Sequence, residues 1–356
     1  MLLLDAKCQF LDGLPLAVII KTTMRYYIFI ILTTIIWSCG QKSKPDSVDK
    51  FVIKTYSIAL DTNVRTTVFY KNHYYCLTGN KQFICLNNRF EVDSGVTNSI
   101  NQMKFYFSYL SRDTLIAGNY INDSTSKTYF LDENQKWQPT TKTQADKPFF
   151  EDERFIVRTC CVGEFGGAIF FTDKKSKRVY SCPSTCATII NKISGSYYVT
   201  NTLAHKSGST EILKIEDPTK LYELKVDSLK NGCNWYMHFV TYEDGYAGMK
   251  QFEIGTQKIL DTIGVLTMTS FVFNNQLYHI NADFKKTFIS KIQGDSLLLV
   301  DSIFNKPLWS YEPENRKYGK MDLHSFNNRE TSGFFAIRND TISIITFDND
   351  RKNNNR

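Results

Sequence analysis

The chain has 356 residues, of which 42% are apolar and 14% aromatic, and 43 basic against 36 acidic side chains leave a formal net charge of +7. That length and apolar content support a sizeable core and exclude a disordered chain. The charge is mildly basic and diffuse, and its clearest run, Lys174-Lys175-Ser176-Lys177-Arg178, sits between two apolar stretches as a solvated turn, so no nucleic-acid partner is indicated.

Residues 24–39 read Met-Arg-Tyr-Tyr-Ile-Phe-Ile-Ile-Leu-Thr-Thr-Ile-Ile-Trp-Ser-Cys. A basic start precedes an apolar run that is short of the about 20 residues a spanning helix needs and fits a secretory signal core. Ile36-Trp37-Ser38-Cys39 resembles the lipobox of bacterial lipoproteins. That resemblance implies cleavage before Cys39, lipidation of its thiol, and attachment to a membrane of the cell envelope. Gly40 follows the cysteine where some bacteria place an inner-membrane retention aspartate, which favours the outer membrane. Residues 1–23 carry Asp5, Asp12 and Lys21 ahead of the signal, and translation is expected to start at Met24. The alternative, an uncleaved anchor over residues 14–37, would hold Lys21 and Arg25 in the bilayer at roughly 2.5 to 3.5 kcal/mol each.

Loss of residues 1–38 removes Lys7, Lys21, Arg25, Asp5 and Asp12 and takes the net charge from +7 to +6. Residues 39–50 form a lipidated cysteine and a polar tether. Residues 51–347 form the domain, and the Asn-rich stretch 348–356 reads as a disordered tail.

Within the domain, alternating apolar residues, a polar pair and a second alternating run recur. Residues 271–280 predict a hairpin turning at Asn274-Asn275, and similar units turn at Asn72-His73, Arg112-Asp113 and Asn339-Asp340. Further strands are expected near 127–131, 154–162, 168–172, 187–190, 197–203, 211–215, 237–241, 286–292 and 296–301, with no helix longer than two turns. The pattern is all-β. It is similar to propeller-type extracytoplasmic proteins, and a β-propeller of six to eight blades buries many short strands without long exposed edges. A large sandwich or a pair of β domains is the alternative.

Seven cysteines follow the lipobox, and export permits disulfides. If Thr78 and Phe83 close a hairpin, Cys76 lies opposite Cys85 within bonding reach. Cys182 and Cys186 bracket a compact loop and are further disulfide candidates. Cys160 and Cys161 point to opposite faces of a strand. A zinc site in which Cys160 or Cys161 joins Cys182 and Cys186 is disfavoured by spacing and by the oxidising setting, and neither metal nor cofactor is expected.

The stretch 160–167 places three glycines around Glu164. It reads as a tight turn or bulge; a sharper expectation is that Glu164, Asn201 and His205 line a binding mouth. No metalloprotease, hydrolase-elbow, EF-hand or dinucleotide fingerprint occurs, and no catalytic residue is assigned. Glu151, Asp152, Glu153 and Glu164 are the acids from which a glycosidase pair would have to come. Trp137, Trp235, Trp309, Tyr74-Tyr75 and Tyr197-Tyr198 are candidate platforms whose simpler role is packing. The resulting expectation is an anchored binding module for a protein or glycan, with a polysaccharide hydrolase or lyase as the rival.

Overall fold

A computed structural model of the protein describes residues 50–111, 113–119, 127–142, 148–205, 207–224, 253–310, 314–318, 321–327 and 331–349. The expected signal, Cys39, the tether up to residue 49, Cys233, Trp235, the strand near 237–241 and the end of the tail lie outside the described residues.

Six separate sheets form the blades of a β-propeller. After β1 (Val52–Leu60), blade 1 is β2 (Val64–Tyr70), β3 (His73–Thr78) and β4 (Phe83–Leu86), with helix α1 (Ser94–Ile100) following the third strand. Blade 2 is β5 (Phe107–Ser111), β6 (Thr114–Gly118), β7 (Thr128–Leu131) and β8 (Trp137–Thr140). Blade 3 is β9 (Phe150–Glu151), β10 (Phe155–Cys161), β11 (Gly167–Asp173) and β12 (Val179–Pro183), extended outward by β16 (Tyr222–Leu224). Blade 4 is β13 (Ala187–Ile193), β14 (Ser196–Leu203), β15 (Ser209–Ile215) and β17 (Thr256–Ile263). Blade 5 is β18 (Leu266–Phe273), β19 (Gln276–Ala282), β20 (Thr287–Gln293) and β21 (Ser296–Phe304). Blade 6 is β22 (Glu314–Tyr318), β23 (Met321–Asn327), β24 (Ser332–Arg338) and β25 (Thr341–Asn349).

β1 pairs in parallel with β25, so the two ends of the domain share one sheet and close the ring. The pairing runs to Asn349 and takes Asp348 and Asn349 into the sheet, two residues into the stretch whose composition reads as tail. The first strand of each blade lies on the axial side. Lys317 of β22 donates to Asn191 Oδ1 of β13 at 2.8 Å, joining blade 6 to blade 4 past blade 5, which only residues near the axis can do. Two rims follow from strand direction. Turns between first and second, and third and fourth, strands lie on the turn rim; the remaining turns and the blade-to-blade links lie on the connector rim.

Packing explains both agreement and disagreement with the sequence. Asn274 and Asn275, with φ of 48° and 58°, make the turn between β18 and β19 as the hairpin signal requires. The β2–β3 turn uses Lys71 and Asn72, one residue earlier than expected, because Tyr70 pairs with His73. Between β3 and β4 the closing pair is Leu77 with Phe83, which sets Cys76 opposite Ile84 and Cys85 opposite Tyr75. The expected Cys76–Cys85 bridge is thereby overturned: the one-residue offset sends the two thiols to opposite faces, Cys76 into the core between blades 1 and 6 and Cys85 into the core between blades 1 and 2. Tyr74 and Tyr75 divide the same way, and both are buried, since each face of a blade is covered by a neighbour.

Apolar clusters fill the spaces between blades 5 and 6, 1 and 2, 3 and 4, and 6 and 1. Blades 4 and 5 are joined differently. Asn191 donates to the Ser270 carbonyl at 3.1 Å, the Thr200 and Ser270 hydroxyls meet at 2.7 Å, and Thr202 donates to the Thr267 carbonyl at 2.7 Å. His279, fully buried, holds Ser270 Oγ through Nδ1 at 2.9 Å. Such a seam is stable only because nearly every buried polar atom in it has a partner.

Candidate functional site

The glycine-rich stretch forms the turn between β10 and β11 on the connector rim. Val162 and Gly166 close it through a 2.8 Å backbone bond around a single 3-10 turn, Gly163–Phe165. Gly166 has φ of 94°, a conformation side chains resist. Gly167 packs so closely that a Cβ would meet the Cys160 carbonyl at 2.1 Å. The turn lifts Glu164 into solvent, where its carboxylate meets His205 Nδ1 at 3.0 Å, each side chain 51% exposed. Phe165 beside it is 67% exposed.

Asn201, the third residue expected at this mouth, is elsewhere. It is 1% exposed, accepts from Ser184 Oγ at 2.6 Å and donates to Glu211 at 2.8 Å. The structure thus brings Glu164 and His205 together and commits Asn201 to the interior. A disulfide, Cys161–Cys186, ties the end of β10 to the start of β13. Cys186 therefore pairs with Cys161 and not Cys182, which is free and buried; burial pushes the Cys182 and Cys85 thiols up, and that of Cys76 to about 12. Cys160 is also disulfide-bonded.

The remaining acids do not converge with Glu164. Glu151, Asp152 and Glu153 precede β10 on the turn rim, whereas Glu164 follows its far end. Asp152 is instead a structural hub. It accepts from the backbone of Arg154 and Phe155, from Tyr197 Oη at 2.6 Å and from Lys192 Nζ at 2.7 Å. Burial pushes its carboxyl up, but Lys192, Tyr197 and the backbone amides outweigh that and hold it at about 2. Trp137 is buried and donates to the Ile100 carbonyl at 2.8 Å, so it too is packing.

A second site was not anticipated. Alternate residues of β1, β24 and β25 share one face of blade 6, and the register sets Lys54 across from Ser343 and Ser343 across from Ala336. The turn after β4 folds over this face. Its base is Asn87, whose side chain accepts from the Arg89 and Glu91 amides at 2.8 and 3.0 Å. That turn holds Phe90 at φ of 65°, an uncommon conformation for a bulky side chain, with its ring 4.8 Å from Tyr56 and 5.1 Å from Tyr74. Between turn and face lies a groove of about 570 Å³ on the turn rim, lined among others by Lys54, Tyr56, Arg89, Phe90, Arg338 and Asp340. Arg338 donates to Tyr74 Oη at 3.2 Å and stands over the Phe69 ring. Arg89 pairs with Glu91 at 3.3 Å. The residues are separated by up to 289 positions in the chain, so only the ring closure assembles them.

Among the described residues no cluster of three or more metal-ligating side chains occurs, and no helix is long and apolar enough to cross a membrane. No family model and no curated protein sequence matches the chain. Among solved structures, the computationally designed protein Ika8 aligns at a TM-score of 0.34 with 9% identity over 82% of this chain and 89% of its own. BamB from Moraxella catarrhalis aligns at 0.29 with 10% identity over 78% and 70%, and a protein from Lactobacillus plantarum at 0.27 with 8% identity over 80% of each chain. The fold assignment rests on the six sheets and their closure, to which these weak likenesses add nothing. A rigid propeller presenting loops on two rims fits an interaction module.

Proposed function

We propose that the chain is a cell-envelope lipoprotein, held through Cys39 and the tether of residues 40–50, whose propeller binds a protein or glycan without converting it. The lipobox resemblance supports the anchor and, with Gly40 after the cysteine, an outer-membrane location. Two or three acyl chains give stable attachment where one gives marginal binding. The observation that carries the binding half is the groove between blade 6 and the turn after β4. It is concave, partly aromatic, bordered by a few converging polar groups and held on paired strands, the features of a preformed ligand site.

The test of the anchor is fractionation of cells producing the full chain or its Cys39→Ala variant. The wild type is expected in the membrane fraction and the variant in the soluble envelope fraction. Membrane retention of Cys39→Ala overturns lipidation and favours the uncleaved anchor over residues 14–37.

A further inference from the structure

The groove carries more positive charge than its own carboxylates answer. Three cations, Lys54, Arg89 and Arg338, line it against one acid, Asp340. Arg89 is occupied by Glu91. Lys54 has no ion-pair partner among the described residues, and Arg338 is met by the neutral Tyr74 hydroxyl and by the Phe69 ring. Burial pushes the Tyr74 hydroxyl up, against the pull of Arg338, so Tyr74 does not supply the missing negative charge.

Beside these two cations stand the rings of Tyr56 and Phe90, both half-buried. Phe90 is held in position by the Asn87-based turn before any ligand arrives. Uncommon backbone conformations that surrounding structure enforces concentrate at ligand sites. The groove volume, about 570 Å³, falls in the small-ligand range of about 300 to 1,000 Å³. The floor is the face of a sheet and so offers side chains, whereas a peptide strand pairing through its main chain would have to lie along the outer edge of β1.

We infer that this groove binds an acidic saccharide, a sugar bearing a carboxylate, through Lys54 and Arg338, with the sugar ring against Tyr56 and Phe90. Arg338 supplies a forked donor that matches a carboxylate in a way a lysine does not. The two rings supply the flat apolar surface on which the carbon face of a sugar rests. This assignment rests on the proposed binding-module function and names its ligand class.

The experiment is calorimetric titration of the full-length protein with oligogalacturonate, its methyl ester, a neutral galactose oligomer and oligoglutamate. Oligogalacturonate is expected to bind with an affinity that falls with salt, and the ester and neutral oligomer to bind far more weakly. Lys54→Glu, on an exposed strand position, is expected to weaken binding about tenfold or more, the loss of one charge-assisted contact. Arg338→Lys, which keeps the charge and loses the fork, is expected to weaken it less than Lys54→Glu, with an unchanged melting transition as the check on folding. Equal binding of acid and ester, an unaltered affinity in Lys54→Glu, or tighter binding of oligoglutamate overturns the assignment. Shortening of the oligosaccharide during incubation would instead overturn the binding-module function, by showing an enzyme. An intact, unbound oligosaccharide removes the groove's ligand alone.

Discussion

Cys161 and Cys186 are bonded across the junction of blades 3 and 4, with their Cα atoms 4.5 Å apart and a sequence separation of 25. The bond fastens the turn bearing Glu164 to the start of β13. Closing a loop of this size restricts the unfolded chain, worth about 3 kcal/mol where the native geometry is unstrained. Peptide mapping without reduction is expected to recover the Cys161–Cys186 link. Native alkylation at pH 8 is expected to leave Cys76, Cys85 and Cys182 unmodified, because burial raises all three thiols far above that pH. Labelling of these three should appear only on unfolding. A Cys76–Cys85 peptide in the map would refute the β3–β4 register.

The Glu164 carboxylate and His205 Nδ1 meet in an exposed contact, whereas Asn201 sits in the interior between Ser184 and Glu211. The two kinds of position predict different stabilities. His205→Ala is expected to change unfolding free energy by less than about 0.5 kcal/mol, as exposed pairs contribute little. Asn201→Ala leaves the Ser184 and Glu211 groups short of a partner and is expected to cost about 1 to 3 kcal/mol. Chemical denaturation of both variants checks this, and equal losses would contradict the placement of Asn201.

The fold class was legible because its signal is local. Period-2 alternation and the Asn274-Asn275 pair are set by neighbours in the chain, and both survive in the structure. Blade number was not legible to better than six to eight, since it depends on how sheets pack and on β1 crossing to β25. Register failed where a turn could close in two ways, as between Thr78 and Phe83, and a single-residue offset exchanged the environments of two cysteines. The groove was invisible for a related reason. Lys54, Phe90 and Arg338 are unremarkable in sequence, and a pairing between the first and last strands of the domain is what places them together. The one local cue was Asn87, a residue suited to a side-chain-capped turn.

Asp152 links the start of β10 to the hairpin of β13 and β14 through Lys192 and Tyr197. Asp152→Asn retains an oxygen for the Arg154 and Phe155 amides but loses the charge facing Lys192. A destabilisation of about 1 to 2 kcal/mol is expected. Tyr197→Phe removes the other end of the 2.6 Å bond, and the double variant should be less destabilised than the sum of the singles, since contacting residues do not add. Strict additivity in that cycle would mean the two side chains do not interact in solution. The linkage also has a pH window. The carboxyl sits at about 2 when folded against 3.8 ordinarily, so its contribution is complete above pH 3.8 and is lost as pH falls toward 2.

A second acid-sensitive element works at milder pH. His279 and His324 are both buried, and burial pushes each imidazole down to about 3 from an ordinary 6.5. Folded protein keeps them neutral while the unfolded chain takes up protons once pH falls below 6.5. Stability is therefore complete above pH 6.5 and is lost progressively as pH falls from there toward 3. Between pH 7 and pH 5 the loss is about 2 kcal/mol for each histidine. His279 lies in the polar seam of blades 4 and 5, bonded to Ser270, and its Nε2 has no hydrogen-bond partner among the described residues. Protonation would place a charge among the hydroxyls and amides that bond one another in that seam. His279→Gln removes the titrating group and retains a polar side chain. Its unfolding free energy, measured by denaturant titration at both pH values, is expected to fall by about 2 kcal/mol less than that of the wild type. An identical pH dependence in the two proteins would show that His279 is solvated, and would break the seam as described.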